Sequence, residues 1–321
     1  MREAAFVKQN KDKWLEFENL LRNKRSLAPG QLSDAYIEIT DHLSYASTFY
    51  PDSNTSRYLN ELASEAHRMV YRNKKESKNK LISFYTREFP LFFARYQKQL
   101  ALSFLVFVLF SIIGAYSAAH DDSFVRAVLG DAYVNATLEN IENKDPMAVY
   151  KQAAETDMFL GITINNIRVG LMAFTLGVLA GLGTLLIIMQ NAIMLGSFQY
   201  FFYDQELLWE SVRTIWIHGT IEISVIIVAA CAGLVVGKSI LFPQTYSRLH
   251  SFVGGIKDGL KIVISTVPFF ILAGFLEGFV TRHTEMPDFL AIAIISLSLI
   301  LILWYYVLLP QRLYKKHNDE K

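Results

Sequence analysis

Two patterns of apolar and polar positions divide the chain. Up to about residue 99, apolar residues recur at helical spacing among charged ones: Phe6, Val7, Trp14, Phe17 and Leu21, then Leu32, Tyr36, Ile39 and Leu43. Ala28-Pro29-Gly30 and Pro51 to Asn54 interrupt this pattern as turns. Asn54-Thr55-Ser56 is placed to cap a third helix that carries Tyr58, Leu62 and Met69. The pattern predicts a helical domain over 1–80, its core built on Trp14, Phe17, Tyr36, Leu43, Tyr58 and Leu62, ending in the basic connector Arg72–Lys80. Residues 81–99 mix Phe84, Phe89, Phe92 and Phe93 with Arg87, Arg95 and Lys98, which predicts a juxtamembrane amphipathic helix against an anionic surface. An ordinary solvated helix packed on the small domain fits that stretch equally well.

From residue 100 onward the apolar positions merge into runs long enough to cross a bilayer, for which about 20 residues suffice. The predicted spans are 100–118, 159–189, 214–237, 262–280 and 289–309, with a shorter aromatic stretch over 193–208 that either crosses or re-enters. Residues 119–160 are polar, net acidic and weakly amphipathic, as short surface helices would be. The fold class is therefore all-α: a polytopic helical membrane protein of about six segments over 100–311, with an amino-terminal helical domain and a charged tail over 312–321.

Charge orients this arrangement. Basic residues cluster before residue 99, in the 238–261 loop and at Arg312, Lys315 and Lys316. The excess of Lys and Arg on cytoplasmic loops puts all three inside and 119–160 outside. Both termini are then cytoplasmic, the number of crossings is even, and 192–208 must cross. The whole chain is 52% hydrophobic with a net charge of +1. Its first 99 residues lack the short apolar core of a secretory leader. The single cysteine, Cys231, excludes an intramolecular disulfide. Basic and acidic residues alternate in the amino-terminal region, which gives nucleic-acid binding no support. Walker, dinucleotide and nucleophile-elbow motifs are missing from the sequence, so no cofactor is expected.

The candidate chemistry lies in the spans. His218 and Glu222 sit four residues apart in the central run and share a helix face. Arg168 and Glu277 are the other charged residues within predicted spans, and Asn165 and Asn166 precede Arg168. Ionisable groups inside a membrane are costly and point to function. With the inferred topology all of them collect in the outer half of the bilayer, where Arg168 is expected to pair with Glu222 or Glu277. His218, Glu222 and Glu277 are also weak candidates for a metal, because His-x-x-x-Glu lacks the second His of a zincin. Gly177/Gly181, Gly233/Gly237 and Gly274/Gly278 are spaced to let helices approach closely.

Four ordered segments, INNIRVGLMAFTLGVLAGLGT, QNAIMLG, HGTIEISVIIVAACAGLVVG and FFILAGFLEGFVT, resemble the stage II sporulation protein M family. FVKQNKDKWLEFE and DHLSYASTFYPDSNTSRYLNELA look like its extended, non-sporulation bacterial branch. The resemblance implies family-typical polar positions at Asn165, Asn166, Arg168, Asn191, His218, Glu222 and Glu277. For the sporulation member it implies an inner-membrane protein working with cell-wall hydrolases; for the extended branch, a neighbourhood of AAA ATPase systems. The long amino-terminal domain departs from the short sporulation protein. The leading expectation is a non-catalytic scaffold in envelope or peptidoglycan remodelling, partnered by the bilayer, other envelope proteins and a second copy as a homodimer. A transporter or flippase using the Arg/His/Glu cluster is the alternative, and an intramembrane metal-dependent hydrolase the third reading.

Overall fold

The computed structural model describes residues 1–22, 29–70, 80–151 and 154–319. It divides into two compact units, Met1–Lys80 and Leu81–Lys321. All regular structure among the described residues is helical.

The first unit packs three helices, α1 (Glu3–Arg22), α2 (Pro29–Phe49) and α3 (Asn54–Val70). Phe6, Trp14, Phe17, Ile39, Leu59 and Leu62 form its core, with Tyr36, Leu43 and Tyr58 partly buried against it. Trp14 Nε1 donates to His42 Nδ1 at 3.1 Å, which requires that ring nitrogen to be unprotonated. Burial, the largest influence, lowers the pKa of His42 in agreement with this. Pro29 and Gly30, expected in a turn, instead open α2; proline suits a first helical position because its missing N–H has no helical partner there. Ala28 and most of the basic connector lie outside the described residues. The cap of α3 is Ser53, whose hydroxyl accepts from Ser56 N at 3.1 Å.

The second unit contains six helices that are long and apolar enough to cross a membrane: α4 (Lys80–His120), α7 (Glu155–Val178), α8 (Leu182–Asp204), α9 (Leu208–Leu241), α10 (Arg248–Thr281) and α11 (Asp288–Asp319). Two short helices, α5 (Asp122–Leu129) and α6 (Asp131–Glu142), follow α4. Asp121 caps α5 by accepting from Ser123 N at 2.9 Å; the Ser123 hydroxyl, donating to the same oxygen at 2.6 Å, is the main cause of its lowered pKa, and the backbone bond is the second. Gly130 turns the chain into α6 with a φ of +87°. Val125 and Val134 from these helices pack on Phe201 and Phe202 at the end of α8.

The helix α9 is the axis of the unit. Of its most apolar window 78% is buried, whereas the other five spans bury 17–44%. A helix apolar all round belongs in the middle of its neighbours, and α9 meets that description from Val225 to Gly237.

One boundary differs from the sequence reading. The apolar run 159–189 is not one span but two helices parted at Leu179–Gly181, where Ala180 and Gly181 take φ values of +54° and +85°. The turn is apolar, so hydropathy passes through it unbroken, and only the backbone conformation ends the helix. As a result the stretch from Ile193 belongs to the 23-residue helix α8 and needs no re-entrant form. Residues 81–99 send Phe89 and Phe93 into the core of the unit against Ile302, Tyr305 and Tyr306 of α11. Their rings stack on one another 5.2 Å apart and reach Tyr306 at 5.6 Å from Phe93. A bilayer surface and an aromatic partner helix place the same demand on one apolar face, which is why the sequence pattern does not separate them.

Candidate functional site

The site is built on the half of α9 that lies near α5 and α6. His218 and Glu222 project from one face of α9, and Glu277 comes to them from the last turn of α10. One ligand-type atom from each of the three lies within 4.8 Å of the others. His218 Nε2 stands 3.6 Å from Glu277 Oε2, too far for a hydrogen bond and an ion-pair distance only when the imidazole is protonated. Its other ring nitrogen, Nδ1, is 2.9 Å from the Thr281 hydroxyl. Both side chains are nearly closed to solvent, at 5% and 14% exposed.

Glu277 and Thr281 are presented by a π-helical segment, Leu276–Thr281. Such segments are rare and concentrate at functional sites. The wider turn brings both residues to His218. Thr281 is a member of the site that sequence reasoning did not find, since a threonine near a helix end carries no distinguishing signal.

From α7, Asn166 is 3% exposed and stands beside the Glu222 carboxyl. Its amide nitrogen faces that carboxyl but is within hydrogen-bond distance of no acceptor among the described residues. Asn165 lies at the exposed edge, its amide 3.5 Å from Asn166 Oδ1. Thr163, one turn earlier on the same face as Asn166, has a buried hydroxyl without a partner. Asn191 of α8 bonds Ile187 O at 2.8 Å and shares a cavity with His218 and Glu222.

Arg168 does not belong to this cluster. It is exposed on the outer face of α7 among Ile164, Leu171 and Met172, and no ion pair of it is formed among the described residues. The reason is helical geometry: residues two apart are about 200° apart around the axis, so Asn166 and Arg168 cannot face the same partner. The expected pairing of Arg168 with Glu222 or Glu277 is therefore corrected. Salt bridges do tie the helices together, but nearer their ends. Arg213 of α9 meets Asp288 of α11 at 2.8 Å, and Arg282 meets Glu155 of α7 at 3.1 Å.

The glycines account for close approach of the helices, both beyond the site and beside it. A Cβ on Gly177 would meet Gly233 O at 2.4 Å, and one on Gly237 would meet Gly181 N at 2.5 Å. A Cβ on Gly274 would meet the Thr163 hydroxyl at 2.2 Å, and one on Gly278 would lie 3.1 Å from Glu155 O. The helices bearing the polar residues thus touch backbone to backbone where side chains are missing.

A cavity of about 330 Å³ ends on the site. Its walls are apolar, with Phe107, Leu129, Leu195 and Phe198, and its polar points are Tyr133, Asn191, His218 and Glu222. An apolar pocket with a few convergent polar groups is the form a ligand site takes. Burial is the main influence that raises the pKa of Tyr133, so at neutral pH it presents a hydroxyl.

The fold and the polar core together define a multi-pass helical membrane protein with ionisable groups in its interior. Residues 103–282 match the family Stage II sporulation protein M, and this chain belongs to it. The amino-terminal unit matches a separate domain of unknown function, DUF8413, over residues 4–72. An uncharacterized protein of the archaeon Methanocaldococcus jannaschii is 25% identical over 190 residues, covering 58% of this chain and 83% of that protein. This relative is consistent with a branch outside sporulation. No solved structure matches the chain.

Proposed function

We propose that the protein is a transporter-type membrane protein that binds a small ligand in the chamber between α8 and α9, with the His218/Glu222/Glu277 cluster as its polar floor. The observation that carries this reading is the cavity reaching His218 and Glu222 from the α5–α6 end. A polar network serving only to hold helices in register needs no cavity and is expected to satisfy its own hydrogen bonds. Here, among the described residues, Asn166 and Thr163 both retain buried atoms without a hydrogen-bond partner. The charge bias of the loops supports a cytoplasmic amino terminus in a bacterial inner membrane, with the chamber opening outward.

A second reading, a scaffold for envelope or peptidoglycan remodelling, is favoured by Arg168. A guanidinium on a lipid-facing helix surface is costly unless it finds an acidic partner or reaches an interface. A partner helix from an envelope protein, from a second copy, or from a membrane component of an AAA ATPase or cell-wall hydrolase system would meet that need.

Cysteine accessibility tests the chamber. In a Cys231→Ser background, Ile223→Cys, on the cavity wall, is expected to react with a membrane-impermeant cationic thiol reagent added to the α5–α6 side. Val228→Cys, 2% exposed in the closed half of α9, is expected to remain unlabelled. Failure of Ile223→Cys to react from either side would remove the chamber and leave the scaffold reading.

A further inference from the structure

We propose that His218, Glu222 and Glu277 bind one divalent transition-metal ion of the zinc class at the floor of the chamber. The inference rests on the site being the ligand-binding floor described above, but it does not require transport.

The first ground is charge. Two carboxyl groups and one imidazole converge within 4.8 Å in the interior of a membrane helix bundle. The arginine expected to offset them, Arg168, faces the opposite side of α7. Buried charges without a counter-charge are strongly unfavourable. A divalent cation held by a neutral imidazole and two carboxylates brings the cluster to zero net charge.

The second ground is donor chemistry and geometry. One nitrogen and two carboxylate oxygens form a ligand set suited to zinc, which in open sites takes three protein ligands and leaves a fourth position free. Bonds of about 2.0–2.1 Å place tetrahedral ligand atoms roughly 3.3 Å apart. The 3.6 Å between His218 Nε2 and Glu277 Oε2 is close to that spacing. The other separations, all within 4.8 Å, close by rotation of the Glu222 and Glu277 terminal torsions, which are broad for carboxylates.

The third ground lies in the groups around these three. A metal-binding histidine characteristically engages its second ring nitrogen with a hydrogen-bond partner, which fixes the tautomer and the ring plane. The Thr281 hydroxyl, 2.9 Å from Nδ1, is that partner and leaves Nε2 as the ligand. Asn166, 3% exposed beside Glu222 with an unpartnered amide nitrogen, is placed to donate to the Glu222 oxygen that does not bind the ion. His218 and Glu222 also line the cavity, so the fourth coordination position faces the chamber.

The test uses the full chain purified in detergent, stripped with a chelator, equilibrated with zinc sulfate, gel-filtered and measured by inductively coupled plasma mass spectrometry. About one zinc per chain is expected for the wild type, for Arg168→Met and for Cys231→Ser. His218→Asn, Glu222→Gln and Glu277→Gln are each expected to lose at least nine-tenths of it while still giving cooperative melting curves. Zinc should raise the melting temperature of the wild type by several degrees and leave that of the three variants unchanged. Wild-type protein that takes up neither zinc nor manganese nor ferrous ion would overturn the proposal and show a cluster that carries only protons. Stoichiometric zinc retained by all three variants would overturn it equally. Zinc bound while Ile223→Cys stays unlabelled would sustain the metal and dismiss the chamber, so the two ideas fail separately.

Discussion

The two halves of α9 solve burial in opposite ways. From Val225 to Gly237 the residues are aliphatic or small, and Gly233 and Gly237 let α7 and the start of α8 approach backbone to backbone. At these two glycines there is no room for a side chain. From Ser211 to Ile223 the same helix carries His218 and Glu222, and the neighbouring helices leave a cavity of about 330 Å³ against them. A helix bundle that can pack as tightly as the first half has no physical need of the second half's arrangement. Protein interiors normally close such gaps. The contrast therefore marks the polar half as the part shaped by something other than stability.

The largest effect is expected where packing is tightest. A Cβ on Gly233 would lie 2.2 Å from the Thr184 hydroxyl and 2.3 Å from Ala173 O. The Thr184 hydroxyl is already committed to Ala173 O at 2.7 Å, so the neighbours cannot move aside cheaply. Gly233→Leu is expected to cost more than about 3 kcal/mol, at the upper end for overpacking. The measurement is the yield of monodisperse protein and its melting temperature in detergent. Near-wild-type behaviour would show that this half of α9 is looser than its glycines indicate.

The polar half predicts the reverse sign. Replacing buried ionisable groups with apolar residues of similar volume is commonly neutral or stabilising by about 1–4 kcal/mol. Glu222→Leu combined with Glu277→Leu is therefore expected to melt above the wild type in the presence of a chelator. With saturating zinc the order should invert, because a ligand that binds only the folded wild type stabilises it by mass action. Melting below the wild type in chelator would mean that the carboxyl groups contribute net stability by themselves, and the contrast between the halves would lose its functional meaning.

How much of this was legible in the sequence depended on whether a residue's signal was local. His218 and Glu222 are four apart, so their common face follows from helix geometry, and Glu277 stood out as a charged residue in an apolar run. The turn at Ala180 and Gly181 was hidden because its residues are as apolar as the helices they separate, and a positive φ leaves no mark on hydropathy. Thr281 becomes meaningful only through its distance to His218, and the cavity is a property of five helices together. The burial of Phe89 and Phe93 against Tyr305 and Tyr306 joins residues more than two hundred positions apart, a relation that periodicity within one segment does not contain.

Arg168 was misplaced for a different reason: a shared depth in the bilayer, which the inferred topology gives, does not fix which way a residue faces around its helix. Asn166 faces Glu222 while Arg168, about 200° away around α7, faces outward. The smallest of the expected effects follows. Arg168→Met should change stability by less than about 0.5 kcal/mol, as surface substitutions usually do. Its combinations with Glu222→Gln and with Glu277→Gln should equal the sums of the single changes within about 0.3–0.5 kcal/mol, the range for sites that share no partner. The measurement is a pair of double-mutant cycles read by denaturation in detergent micelles, where no lipid-embedded partner is present. A coupling above 1 kcal/mol in either cycle would bring Arg168 back to the cluster and supply the counter-charge that the proposed metal otherwise provides. Additivity in detergent, together with loss of function in cells for Arg168→Met, would assign the arginine to a partner in the membrane and separate assembly on α7 from ligand binding on α9.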